Sequence, residues 1–305
     1  MSVRHAQRCT RNMDKKLTKQ IKEIEQEENR LKEIRKQWYS LEFIRFALVE
    51  QCKGRELCFL TKYPRLLHYG DKISSAVRYL QCGHTKFLGM HFDAFNVLTK
   101  PYMMLYASTA YLDSLPTFSY NMKERTKTDE YRQFGNDYMN HVIGYDIFFD
   151  IDNLDIEEAW KDASELKDMF DENKIPYSIK FSGSKGFHFI IPFKYVGWKI
   201  TDFNKFISDV ANFIYNIKVI YQIDSIDASI TDAKRVCKLA YSLDRDKVVM
   251  PLGDGQFKNF SIETVQWRNV LRTVKLMNRG NLLRTHELPD SELKENLEKF
   301  FKGHL

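Results

Sequence analysis

The segment Gly144-Tyr-Asp-Ile-Phe-Phe-Asp150-Ile-Asp152 places two carboxylates, Asp150 and Asp152, at the end of an apolar run. Ile147, Phe148, Phe149 and Ile151 are β-branched or aromatic, so the run reads as a buried strand. Side chains two apart on a strand share a face. Both carboxylates then point the same way from a rigid element. Two anions held that close repel each other unless a cation lies between them. The reading is a divalent-metal site of the hard, oxygen-ligand kind. Asp146, four residues earlier, falls on the same face and reads as a structural or surface acid rather than a ligand.

A second segment, Pro176-Tyr-Ser-Ile-Lys-Phe-Ser182-Gly-Ser-Lys-Gly-Phe-His188-Phe-Ile-Ile-Pro192, reads as strand, tight glycine turn, strand. Gly183 and Gly186 allow positive φ and close backbone approach. Ser182, Ser184, Lys185 and His188 bring hydroxyls, an ammonium and an imidazole to the turn. That set suits a phosphate held by a nest of donors. A third segment, Ile223 to Leu252, supplies Asp227, then Arg235 and Lys238, then Ser242 and Arg245. Carboxylates for metal followed by cations for phosphate form the inventory of phosphoryl transfer.

Together the three segments resemble the archaeo-eukaryotic primase superfamily, in particular the small, catalytic subunit of DNA primase. The matches are Asp150-Ile-Asp152, Ser182-Gly-Ser-Lys-Gly-Phe-His188, Asp227-Ala-Ser-Ile-Thr231, Arg235-Val-Cys-Lys238 and Ser242-Leu-Asp244, over roughly residues 100 to 260. The resemblance implies that Asp150, Asp152 and Asp227 bind two divalent cations, Mg²⁺ or Mn²⁺, with Asp224 and Asp232 as rivals to Asp227 by proximity. It implies nucleotide binding by Ser182, Lys185, His188, Arg235 and Lys238. One departure stands out: where the family carries His after Ser-Leu, this chain has Asp244, so either Arg245 replaces that phosphate contact or the contact is missing. Tyr106 falls near the place where the family's strand carries an acid that reads the ribose 2′-hydroxyl, so its ring would favour deoxynucleotides.

The chain has 305 residues and a formal net charge of +6, which favours a polyanionic partner without requiring one. Aromatic residues make up 14%, which suits a packed core and also base stacking. An apolar leader and an apolar run long enough for a membrane span are both missing, so a soluble, intracellular, unsecreted protein with no membrane partner is expected. The five cysteines are scattered, which argues against a disulfide framework. Cys52, Cys58, Cys82 and His84 are candidates for a structural zinc, but their spacing lacks a tight Cys-x-x-Cys pair, and reduced, partly buried thiols are the expectation.

The elements that must position these groups follow from periodicity. Residues 14 to about 50 read as one long amphipathic helix, with Leu17, Ile24, Leu31 and Trp38 at seven-residue intervals and Ile21 and Ile34 beside them. Glu28 and Arg35 at the alternate core positions argue against a coiled coil, so the helix packs on its own domain or serves as a partner-docking arm. Residues 57–100 mix helix-like and irregular sequence, including 73–80. Residues 101–112 read as a strand, and 113–141 as a polar loop or insertion with Lys123, Arg125, Lys127 and Arg132. Helices are expected at 156–173, 203–215, 261–276 and 291–301, and a hairpin from 236–241 and 248–252. The expected fold is α+β: an RRM-like catalytic mixed sheet packed on an N-terminal α/β unit and covered by helices. The expected domains are a helical extension, 1–55, and a catalytic domain, 56–305.

The functional expectation is a DNA primase or primase-polymerase, a template-directed nucleotidyltransferase that makes or extends primers from nucleoside triphosphates. Its partners would be single-stranded DNA template and primer, with an accessory helical domain or large subunit. A gap-filling polymerase without de novo initiation is one alternative. An Asp-x-Asp glycosyltransferase is another, though it leaves Ser182 to His188 and the Arg235/Lys238 set unexplained. A non-catalytic single-strand-binding relic is the third, and Asp244 leaves room for it.

Overall fold

The computed structural model of the protein describes residues 3–52, 54–61, 77–81, 103–113, 138–231, 235–273 and 288–305. Helix α1 runs Val3–Tyr39. It stops where the Ser40 hydroxyl donates to the Gln37 carbonyl and the Leu41 amide bonds the Trp38 carbonyl, local bonds that compete with the helical ladder. Helix α2 follows at Glu42–Cys52 with an acid in its first turn. The single helix expected over 14–50 is therefore two helices broken at Ser40. Along α1 the heptad strip also divides. Leu31, Ile34 and Trp38 are buried in the core, whereas Leu17, Ile21 and Ile24 are exposed.

The strands β1 (Arg55–Thr61), β2 (Val77–Gln81), β3 (Met103–Ser108), β4 (Ala110–Leu112), β5 (Val142–Tyr145) and β6 (Ile147–Asp152) come next. Residues 77–81, expected within a helix-like stretch, are a strand paired antiparallel to β1, in keeping with Val77 and Tyr79. Helix α3 (Ile156–Glu172) is capped by Asp155, whose carboxylate accepts from the Glu157 amide at 2.9 Å. The glycine turn then joins β7 (Ser178–Phe181) to β8 (Gly186–Ile191), the hairpin that the sequence predicts. Helix α4 (Phe203–Ile220) has Asp202 as its cap. The short strands β9 (Val236–Lys238), β10 (Leu243–Asp244), β11 (Lys247–Val248) and β12 (Pro251–Leu252) precede α5 (Asp254–Lys258), α6 (Trp267–Thr273) and α7 (Asp290–Gly303). The helix expected from 261 begins only at Trp267, after a run of turns.

The sheet that carries the acids has the order β12-β7-β8-β6. Residues 225–227 extend it beyond β6. Ile226 bridges Ile151, the Asp227 amide donates to the Asp150 carbonyl at 2.9 Å, and the Asp152 amide donates to the Ser225 carbonyl at 3.0 Å. All its described pairings are antiparallel, where a mixed sheet was expected. The cause is topological. Helix α3 carries the chain from β6 past β8 to β7, and α4 carries it from β8 past β6 to residues 225–227. Strands that run parallel are thus never neighbours.

Period-two alternation separates the two faces of this sheet. Phe149 and Phe189 are register partners and turn toward the helices. The Phe149 ring lies 5.4 Å from Phe170 of α3 and 5.9 Å from Phe213 of α4, edge to face. Phe170 in turn meets Phe300 of α7 at 6.3 Å. The other face carries Asp150, Asp152, Lys180 and His188, and it turns toward a second sheet of order β2-β1-β3-β9. Phe148 packs there against Cys237 of β9.

The hairpin expected from 236–241 and 248–252 is instead shared between the two sheets. Strand β9 pairs with β3, with Tyr106 opposite Lys238, and β12 pairs with β7. Near the turn, the bonds between Val249 and Tyr241 or Ser242 and the short antiparallel pairing of β10 with β11 remain of the expected ladder. Tyr241 has φ of 66°, and that left-handed residue redirects the chain from one sheet to the other. Asp146 is structural, as expected. It is 3% exposed, pairs with Arg55, and accepts from the Phe193 amide at 2.9 Å. No helix among the described residues is long and apolar enough to cross a membrane. The zinc set lies outside the described side chains, as do Asp232 and the basic residues of 123–132.

Candidate functional site

Asp227, Asp150, His188 and Lys180 form one row across the sheet. Asp150 is the register partner of His188, His188 that of Lys180, and the backbone of Asp227 is bonded to that of Asp150. Directly opposed residues of antiparallel strands project to the same face at about 5 Å. Asp152 lies on that face one step further along β6, opposite Gly186. The three acids expected to act together are thus adjacent on the backbone. Asp224 is exposed and outside the row.

Basic side chains already surround these carboxylates. Asp150 Oδ1 lies 3.4 Å from His188 Nε2, and Asp150 Oδ2 lies 3.5 Å from an Arg235 Nη. Asp152 Oδ2 lies 3.3 Å from Lys185 Nζ at the exposed rim. Asp227 accepts from the Ser229 amide at 3.0 Å and from its hydroxyl at 2.6 Å, capping a short 3₁₀ turn. Among the described residues, no three His, Cys, Asp or Glu side chains converge as a metal-binding group. The donors are nonetheless of the type a hard divalent cation takes, and Asp150 Oδ1 is buried without a hydrogen-bond partner.

That orphaned oxygen has company. Ser182 Oγ, His188 Nδ1 and Arg235 Nε are also buried and unbonded. Buried polar atoms are nearly always satisfied, and each one left unpaired costs roughly 1–3 kcal/mol. Burial drives the His188 pKa down, against the opposing charge of Asp150, so the ring is neutral at physiological pH. Burial raises Asp150, but His188, Arg235 and Lys238 outweigh it and hold the carboxyl below its usual value.

The turn between β7 and β8 is closed by the Ser182 amide on the Gly186 carbonyl at 2.9 Å. Gly183 has φ of +86°, and a Cβ there would lie 2.8 Å from Asp244 Cβ. Lys238 Nζ donates to the Ser182 carbonyl at 2.9 Å and to Asp244 Oδ2 at 2.8 Å. Arg245 stands in the exposed β10–β11 turn with φ of 57°, and its charge acts on Glu27 of α1. The structure therefore groups Arg245 with the N-terminal helix rather than with the acids.

Two participants escape a reading of the sequence. Lys180 is 6% exposed, and its Nζ donates to the Lys238 carbonyl, which ties the two sheets together. Its alternation with Ile179 and Phe181 is the signal that places it on the His188 face. Arg35 interrupts the heptad pattern of α1, yet it is fully buried and donates to the Leu243 carbonyl at 3.0 Å. Only its long-range partner explains it.

No family model and no curated protein matches this chain. Among solved structures, the polymerase domain of Mycobacterium tuberculosis ligase D, determined in complex with DNA, is similar at 12% identity and a TM-score of 0.48, over 85% of this chain and 93% of that one.

Proposed function

We propose that the protein is a primase-type, template-directed nucleotidyltransferase that makes or extends primers. The observation that carries the reading is the acid row set against buried, unsatisfied Ser182, His188 and Arg235 atoms. A desolvated site with spare donors beside clustered carboxylates suits a metal-bound polyphosphate. The strand order 225–227, β6, β8, β7 with two helices on one face supports the RRM-like sheet that the motif resemblance implies. The acids would hold Mg²⁺ or Mn²⁺ through Asp150, Asp152 and Asp227; bound there, the cations supply charge neutralisation and an acidified 3′-hydroxyl. Ser182, His188 and Arg235 would grip phosphate oxygens, with Lys185 at the rim; Lys238, also expected in this set, is held by Asp244 and the Ser182 carbonyl, and Arg245 stands with the N-terminal helix. The neutral His188 ring can donate one hydrogen bond and accept another. Tyr106, opposite Lys238 on the paired strand, would stand beside the sugar. Single-stranded template and primer are the proposed partners, gripped largely without sequence preference.

The test is a template-dependent incorporation assay with Mg²⁺ or Mn²⁺, with and without primer, comparing wild type with Asp150→Ala/Asp152→Ala. Products lost in the double variant support polymerisation, and products formed without primer make it a primase. Folded wild-type protein that incorporates nothing with either metal refutes the catalytic reading. The pairing of Lys238 with Asp244 favours one second reading, single-strand binding without catalysis, which that negative result would leave standing.

A further inference from the structure

Lys238 and Asp244 form an ion pair beside the Ser182–Gly186 turn. An ammonium has three donors, and two of those on Lys238 are committed to Asp244 Oδ2 and the Ser182 carbonyl. The side chains are 13% and 3% exposed. Asp244 is enclosed, with its Cβ packed close against Gly183. A phosphate approaching Lys238 therefore meets a cation whose charge is already balanced by a buried carboxylate.

The loop bearing Asp244 is held from behind by the N-terminal helices. Arg35 donates to the Leu243 carbonyl at 3.0 Å, and the Leu243 amide donates to the Tyr39 hydroxyl at 3.0 Å. The Trp38 indole donates to the Tyr241 carbonyl at 2.8 Å. Gln51 of α2 donates to the Ala240 carbonyl at 3.1 Å and accepts from the Ala240 amide at 2.9 Å. The negative charge of Asp244 also acts favourably on the buried Arg35 guanidinium. A continuous path of polar contacts thus runs from α1 and α2 through residues 240–244 to Asp244, then Lys238, then the Ser182 carbonyl at the glycine turn.

We propose that Lys238 and Asp244 are a buried brace that positions the Ser182–Gly186 turn, and that Lys238 is a positioning residue rather than a phosphate ligand. The inference rests on the nucleotide reading only for what the turn does, not for the brace itself. Asp244, in the place of the family's histidine, then anchors Lys238 in place of a missing phosphate contact. Phosphate binding falls to Ser182, Lys185, His188 and Arg235.

The test compares full-length wild type with Lys238→Met, Asp244→Asn, Lys238→Arg and the double variant Lys238→Met/Asp244→Leu, which leaves no orphaned charge. The first readout is amide hydrogen exchange of residues 183–186 without nucleotide. The brace predicts exchange about tenfold faster or more in Lys238→Met, in Asp244→Asn and in the double, with the double no worse than the singles. Lys238→Arg should restore much of the protection. Unchanged exchange in the double variant overturns the brace. The second readout is affinity for the mono-, di- and triphosphate of one nucleoside with Mg²⁺. The brace predicts a similar loss for all three, with their ratios kept. If Lys238→Met abolishes the preference for triphosphate while Asp244→Asn sharpens it, Lys238 is a ligand and the brace is wrong. If wild type binds none of the three, the nucleotide reading fails, and the exchange data still decide the brace.

Discussion

Gly186 sits directly opposite Asp152 across β6 and β8, and a Cβ built on it would lie 1.8 Å from the Ile151 carbonyl and 2.6 Å from Asp152 Oδ1. The glycine therefore sets both the pairing of the strands and the position of a candidate ligand. Gly186→Ala must push β8 away from β6 and should destabilise the protein by at least about 1–3 kcal/mol. Gly255→Ala is the matched control. It lies in helix α5 with nothing within 4 Å of the added methyl and should stabilise by roughly 0.5–1 kcal/mol. Urea unfolding of the two variants should give opposite signs.

Asp150, Asp152 and Asp227 are expected to act as a unit. Each Asp→Asn variant should lower template-dependent incorporation by about 100-fold or more, and the triple variant should fall little further. Circular dichroism must show the variants folded. A variant that keeps wild-type rates removes that acid from the set.

Acidification should destabilise the fold through His188. Its folded pKa lies below the ordinary value of 6.5 because of burial, so the unfolded chain binds a proton that the folded one refuses. Stability is then complete above about pH 6.5 and falls as the pH drops below it. The depressed Asp150 carboxyl contributes stability present above the ordinary carboxylate range and lost only at more acid pH, as it titrates in the folded state. Melting temperature measured between pH 7.5 and 5 should fall in wild type and fall less in His188→Asn.

The Arg55–Asp146 pair should behave as a buried ion pair, with side chains 13% and 4% exposed. Asp146→Leu alone strands the guanidinium and should cost about 3–5 kcal/mol. Arg55→Met/Asp146→Leu should recover most of that in denaturant unfolding. Additive losses would show that the two do not depend on each other.

Tyr106 faces the same side of its sheet as Lys238. If its ring crowds the ribose, Tyr106→Ala should raise the use of ATP relative to dATP by about tenfold, the scale of a small packing difference at a pocket. An unchanged ratio removes Tyr106 from sugar selection.

Much of the site was legible because short-range periodicity decides which side chains share a face. Alternation along 147–152 and 178–191 was enough to set Phe148, Asp150, Asp152 and His188 on one side and Phe149, Phe187 and Phe189 on the other. The glycines at 183 and 186 marked the turn for the same local reason, steric freedom at Cβ. What the chain's local pattern could not decide was strand neighbourhood. Residues 236–241 and 248–252 look like hairpin partners, but the first joins β3 and the second joins β7, because burial against two different sheets outweighs local closure. The same holds for Arg35 and Asp244. Each reads alone as a misplaced charge, and only the packing of α1 against residues 240–244 turns them into buried, compensated groups. Sequence determined the faces and the turn; the tertiary structure decided which faces meet, since desolvation and pairing of charge depend on neighbours roughly two hundred residues away in the chain.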